Sequence, residues 1–211
     1  MEQILIELET RYPALAPTVP KLREVIEASC RVIRAGGTIF TAGNGGSGSD
    51  AEHIAGELIK GFLSRRPLPE SEIAQLAELY GDEGLETGRK LQQGIRCISL
   101  LSHPGYLSAF ANDVDPELVY AQQLHALGRS GDIVLGITCS GNAGNIRRTF
   151  MVARQMGITT VLLTGAKAGK CVPYADLVID VPATEVFKIQ ELHLPVYHAF
   201  CAAVEAVIFE K

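Results

Sequence analysis

The chain has 211 residues, 47% apolar and 20% charged, enough to bury a sizeable core and too apolar for wholesale disorder. Its net charge of −5 argues against a protein that holds nucleic acid by bulk electrostatics, which requires clustered Lys and Arg. No apolar run approaches the roughly 20 residues that cross a bilayer, and the acid-containing N-terminus lacks the basic region of a signal peptide. Five scattered cysteines (Cys30, Cys97, Cys139, Cys171 and Cys201) show no CxxC spacing, as expected of packed thiols in a reducing, cytoplasmic setting.

In chain order, residues 2–11 and about 18–35 have helical spacing, the first through Leu5, Ile6 and Leu8 and the second through Leu22, Val25, Ile26 and Val32. Pro13, Pro17 and Pro20 punctuate the gap, and Gly36-Gly37 ends the second helix. The period then changes. Residues 38–42 (TIFTA) are short, β-rich and stopped by Gly43, which predicts a buried strand. After a glycine-rich turn, Ser47 or Ser49 is placed to cap a helix running to about Phe62.

Residues 64–94 are out of step: highly charged, with Ile73, Leu76 and Leu79 at helical intervals. This insertion reads either as a surface helical excursion or as a cap over a cleft or part of a subunit interface. Strands are predicted at 95–101, 133–138, 159–164 and 177–181, and helices at 106–111, 117–127, 145–156 and 186–209. Strands and helices that alternate, with nearly continuous apolar strands, predict a single α/β domain over 1–211 with a parallel sheet of about five strands.

Two loops carry the first chemistry. Residues 43–49 (GNGGSGS) and 138–145 (TCSGNAGN) each follow a strand and precede a helix. Glycines let the backbone approach an anion, and the helix start presents free N–H groups with a positive dipole end. Neither loop fits the dinucleotide GxGxxG or the P-loop pattern. One such loop reads equally as a tight turn. Two hydroxyl-rich loops, both expected outside the carboxyl ends of strands, favour a phosphorylated small molecule. His53 and Glu57 are four apart on the following helix, a spacing that suits a surface hydrogen bond or a shared metal or substrate. On the last helix Gln190 and His198 lie roughly two turns apart on one side, with Pro195 expected to kink the geometry between them. His193 reads as a packed or interface histidine.

These residues together resemble the sugar isomerase (SIS) fold, and within it the phosphoheptose isomerase family. The resemblance runs through Ala42–Ser47, Asp50-Ala51-x-His53-x-x-x-Glu57-Leu58, Asn112-Asp113, the Thr138–Asn142 loop, Leu163-Thr164-Gly165 and Ile189-Gln190-Glu191-x-His193, in order from about residue 20 to 200. It implies a three-layer sandwich with N-terminal helices. It also implies one zinc ion per subunit on His53, Glu57, Gln190 and His198. By the same resemblance Glu57 is the base and His198 the acid of a proton transfer between C1 and C2. Asn44, Gly45, Gly46, Ser47, Glu57, Asn112, Asp113, Thr138, Cys139, Ser140 and Gln190 are then the sugar-phosphate contacts.

The family's reaction converts sedoheptulose 7-phosphate into D-glycero-D-manno-heptose 7-phosphate, for activated-heptose synthesis toward lipopolysaccharide, capsule or another glycoconjugate. Its members form homotetramers whose sites draw on neighbouring subunits. The second loop departs from the family's Ser-Thr-Ser-Gly-Asn-Ser: Cys139 replaces a threonine, as a packing substitute or a reactive thiol, and Ala143 lacks a phosphate-binding hydroxyl. Two alternatives stay open, namely a non-catalytic phosphosugar-binding or replication-initiator-partner SIS protein, and an isomerase of another phosphosugar.

Overall fold

The computed structural model describes residues 1–167 and 169–209. Its centre is a five-stranded, wholly parallel sheet of order β2-β1-β3-β4-β5, with β1 Ile39–Gly43, β2 Cys97–Ser99, β3 Ile133–Ile137, β4 Thr159–Gly165 and β5 Leu177–Val181. Both faces are covered, which is why β1 and β3 are buried at every position and read as apolar runs rather than alternating ones.

The alternation of side chains along each strand assigns the two cores. Ile39, Ile133, Leu135, Ile137, Val161 and Leu163 point into one, packed by helices α1 (Glu2–Arg11), α2 (Val19–Arg34), α3 (Gly46–Ile59) and α8 (Val186–Phe209). Phe40, Ala42, Val134 and Leu162 point into the other, packed by α5 (Pro104–Asp113), α6 (Val119–Leu127) and α7 (Gly144–Gln155). Gly136 allows α7 to come close, since a Cβ there would sit 2.7 Å from Ile146 and Phe150. At the start of the sheet the buried Asp132 accepts from Thr38 N (2.8 Å) and Arg129 N (2.7 Å), tying β1 to β3.

Several details differ from the sequence reading. Neither Ser47 nor Ser49 caps α3. Gly45, at φ +55°, turns the chain instead, and its carbonyl accepts from the amides of Gly48 and Ser49. Helix α8 runs continuously from Val186 to Phe209 with Pro195 inside it. The β2 strand is confined to residues 97–99. The expectation about membrane-spanning length needs amending for α8, which is long and apolar enough by length and composition. Of that apolar window, 61% is buried inside the fold, as in a core helix.

The 64–94 excursion is a helical hairpin. Its helix α4 (Glu70–Lys90) reverses at Gly81 (φ +61°, ψ −139°), and Gly84 and Gly88 let the returning arm close on Leu76 and Ile73. The base is pinched where Gln93 N donates to Arg66 O (2.7 Å) and Gln93 Nε2 to Pro67 O (2.8 Å).

A buried ion pair fastens this base to the body. Glu205 of α8 accepts from Arg66 Nε (2.6 Å) and from the amides of Phe62, Leu63 and Ser64, at 2.8, 2.7 and 3.1 Å. The Arg66 guanidinium also donates to the last carbonyls of α3, Leu58 O (2.9 Å) and Glu57 O (3.0 Å). Arg66 holds a left-handed backbone (φ +45°) to do so, a conformation that costs a side-chain-bearing residue roughly 1–2 kcal/mol. The pair therefore fixes the end of α3 on which Glu57 stands. Glu205→Ala leaves a guanidinium buried without its counter-ion and is expected to cost about 3–5 kcal/mol in urea unfolding, whereas a change below about 1 kcal/mol would contradict this account.

Candidate active site

The strand order reverses between β1 and β3, and a crevice opens there at their carboxyl ends, the usual place for a ligand in an open parallel sheet. It is a cleft of about 380 Å³. Asn44, Ser47, Thr138, Cys139, Ser140 and Gln190, six of the residues expected to meet a sugar phosphate, line it together. The first loop is held tight because Gly43 lies against the Ser47 carbonyl, and Gly46 leaves room for the Gln190 amide reaching over from α8. In the second loop Gly141, at φ +66°, packs on Gly169. Both α3 and α7 begin at this cleft, so two sets of free helix N–H groups face it.

The two loops are clamped to each other by a contact that sequence reading missed. Asn44 Nδ2 donates to Asn145 Oδ1 (2.9 Å) and Asn145 Nδ2 donates back to Asn44 Oδ1 (2.8 Å). The buried Tyr120 hydroxyl donates to Gly43 O (2.7 Å) from below. Asn145 lay within the loop motif, but its partner is 101 residues away and no local pattern signals the pair. Cys139 Sγ sits 3.7 Å from Ser47 Oγ, closing the floor, and Ala143 forms part of the wall without a hydroxyl.

A second cluster stands farther along α3, where α8 packs against it. His53 Nε2 is 3.2 Å from Glu57 Oε1, and the His53 and His198 rings meet edge to face with centroids 5.1 Å apart. Tyr197 completes the group, its hydroxyl 3.0 Å from His53 Nδ1. Burial works to raise the Glu57 carboxyl, but donation and charge from Lys60 (2.6 Å) and then from His53 hold it below the usual carboxylate range. Burial and the neighbouring His53 push the His198 imidazole down, favouring its neutral form. Burial raises the Asp50 carboxyl, opposed by Tyr197 and His53.

His53, Glu57 and His198 are a nitrogen and oxygen donor set of the kind zinc takes, and His198 Nε2 is buried with no hydrogen-bond partner among the described residues. Among those residues no three His, Cys, Asp or Glu side chains already converge as a formed metal site. Glu57 is instead engaged by His53 and Lys60.

Other expected site residues fall elsewhere. Gln190 lies at the cleft beside Gly46, eight residues and so about 12 Å of helix rise from His198. Glu57 is in the cluster, ten residues or about 15 Å of rise from Ser47. Asn112 and Asp113 end α5 and bond to each other (2.9 Å), outside the residues that line the cleft. His193 is wholly buried, with neither ring nitrogen hydrogen-bonded among the described residues, and desolvation, opposed by the nearby Thr164 backbone, pushes its pKa down to about 4. It is a packed, neutral histidine.

A doubly covered parallel sheet with two glycine-rich loops at its reversal point defines an SIS-type α/β domain. No family model matches the chain. It is 31% identical to a phosphoheptose isomerase of Roseiflexus sp. over all of this chain and 94% of that protein. To a phosphoheptose isomerase of Burkholderia pseudomallei it is 34% identical, over 90% of this chain and 83% of that one. The solved phosphoheptose isomerase of Neisseria gonorrhoeae superposes with a TM-score of 0.74 at 25% identity, covering 96% of this chain and 93% of that one. The chain belongs to the phosphoheptose isomerase family, and it is an isomerase.

Asn145→Ala removes both amide bonds of the clamp, worth about 1 kcal/mol each, and is expected to weaken sugar-phosphate binding roughly tenfold by calorimetry. Unchanged affinity would show that the loops hold their spacing without it.

Proposed function

We propose that the chain interconverts sedoheptulose 7-phosphate and D-glycero-D-manno-heptose 7-phosphate. One observation carries the reading: a hydroxyl-lined cleft at the start of α3, overhung by Gln190 of α8, stands on the same helix pair as a His–Glu–His cluster suited to moving protons. In this reading Ser47, Thr138, Ser140 and the free N–H groups of α3 and α7 receive the phosphate. The Glu57 carboxylate takes the proton from C1 of the ketose and returns one to C2, while His198 handles the proton of the adjacent oxygens. His53, Glu57 and His198 would hold a zinc ion, one per subunit, which when bound supplies Lewis acidity for the enediolate oxygens.

Such an ion needs Glu57 released from Lys60, whose ammonium is already its close partner. Along α3 the cluster stands from about 9 Å (His53) to about 15 Å (Glu57) of helix rise from Ser47, which puts the base at the limit of a single sugar phosphate held in the cleft. The reading therefore includes a homotetramer in which one copy's cleft, with Gln190, faces another copy's cluster. Exposed Leu63 and Leu194, which line one groove with His198, support such a contact. A cytoplasmic enzyme supplying activated heptose to a surface glycoconjugate follows from the same reading.

The test is proton NMR of sedoheptulose 7-phosphate with the purified protein in D₂O, with zinc and after chelation. New aldose signals that require metal, with deuterium entering at C1 or C2, are expected. Binding without turnover in either condition would replace the reading with a non-catalytic phosphosugar module. Turnover only of another ketose phosphate would assign the altered second loop, Cys139 and Ala143, to a different sugar.

A further inference from the structure

Two stretches of the chain, 65–67 and 89–92, are brought side by side at the base of the hairpin by an antiparallel bridge between Pro67 and Gln92. Between them lies a pocket of about 260 Å³ lined by Arg65, Pro67, Arg89, Lys90, Leu91 and Gln92. Half of these residues are cations and none is an acid. The hairpin itself is acid-rich, so the positive charge is gathered at its base alone.

The cations are poorly compensated from within. Lys90 pairs with Glu86 one turn back on α4. Arg65 and Arg89 form no ion pair among the described residues. The dipole at the end of α4 favours Arg89 and Lys90 there, since both stand in its last turn. It does not account for Arg65, which comes from the other arm. Arg65 is held in place because the next residue, Arg66, is locked to Glu205. Gathering like charges costs free energy, and an anion between them offsets it. Gln92 adds a neutral donor: its Oε1 accepts from Gly61 N (2.8 Å), which leaves its amide N–H groups to give.

We propose that this pocket is a second anion site, separate from the cleft, that takes a phosphate group, either free phosphate or the phosphoryl end of a sugar phosphate. Two guanidiniums and an ammonium suit a dianion, and guanidinium forks bond phosphate oxygens in pairs. The volume is just below the roughly 300 Å³ at which pockets begin to hold drug-sized ligands, so the occupant is small. The site is not the cleft in another guise. The cleft opens at the first turn of α3 and this pocket lies beyond its last, with 14 residues or about 20 Å of helix between them. A dianion held by Arg65 on one arm and by Arg89 and Lys90 on the other cross-links the base, where Gly61 N and Gln93 N make their bonds.

Hydrogen exchange followed by mass spectrometry on the full chain separates the two sites by peptide. Inorganic phosphate is expected to slow exchange at the hairpin base, 61–67 and 89–95, as well as at the cleft loops, 43–49 and 138–145. In the double variant Arg65→Ser with Arg89→Ser, protection of the base is expected to need about tenfold more phosphate or beyond, with protection of the cleft unchanged. Both side chains are exposed, so the variant should keep the parental melting temperature. Sedoheptulose 7-phosphate titrated in parallel identifies the source. Protection of the base by phosphate alone assigns the free ion, by the sugar phosphate alone a bound sugar, and by both the phosphoryl group in general.

Protection confined to the cleft with either probe would overturn the proposal. So would protection of the base that persists in the double variant, or that sodium chloride of equal ionic strength reproduces, since screening of the three cations would then explain it.

Discussion

The site depends on α3 and α8 lying side by side in one register. Both helices leave the carboxyl edge of the sheet and run the same way, and they meet at three levels. Gln190 fills the space left by Gly46, Tyr197 and His198 meet His53, and Glu205 gathers the chain just beyond α3 through Phe62–Ser64 and Arg66. A slip of one residue between the helices would rotate each level out of contact, because successive side chains on a helix do not face the same way. The lowest level is the most buried, with side-chain exposures of 0% for Arg66 and 2% for Glu205, so a strong polar lock holds the geometry of a cluster that itself is partly open.

Much of this was legible in the sequence. The strand–loop–helix units, the five parallel strands and both glycine-rich loops were readable because glycine punctuation and doubly buried strands leave a local pattern. The same holds for His53 with Glu57, whose four-residue spacing states their proximity outright. What escaped reading is what joins distant segments. The Asn44–Asn145 clamp, the Arg66–Glu205 pair and the Tyr197–His53 contact link residues 101, 139 and 144 apart, and each member alone looks like an ordinary loop or helix residue. The hairpin was visible as a charged helical excursion, but its reversal was not, since Gly81 sits within an otherwise continuous helical pattern.

Spacing along the two helices also separates the expected site residues into two groups. Ser47, Gln190 and the second loop line the cleft, whereas His53, Glu57 and His198 form a cluster six to ten residues farther along α3 and eight farther along α8. Helix rise is fixed, at about 9 Å from Ser47 to His53, about 12 Å from Gln190 to His198 and about 15 Å from Ser47 to Glu57. Residues that belong to one reaction but stand apart in one chain are reconciled most simply by a symmetric assembly, in which the same two patches meet across a contact between copies. Completion of the site between subunits is therefore the central element of the function proposed above.

Subunit complementation tests that claim most directly. Gln190→Ala removes a cleft residue and His198→Asn a cluster residue, and each protein alone should be nearly inactive. If the site is shared between copies, co-assembled mixtures of the two should regain activity, up to about a quarter of the parental rate from random pairing of intact halves. Mixtures as inactive as the separate proteins, despite verified co-assembly, would show that cleft and cluster must belong to one chain and would contradict the account.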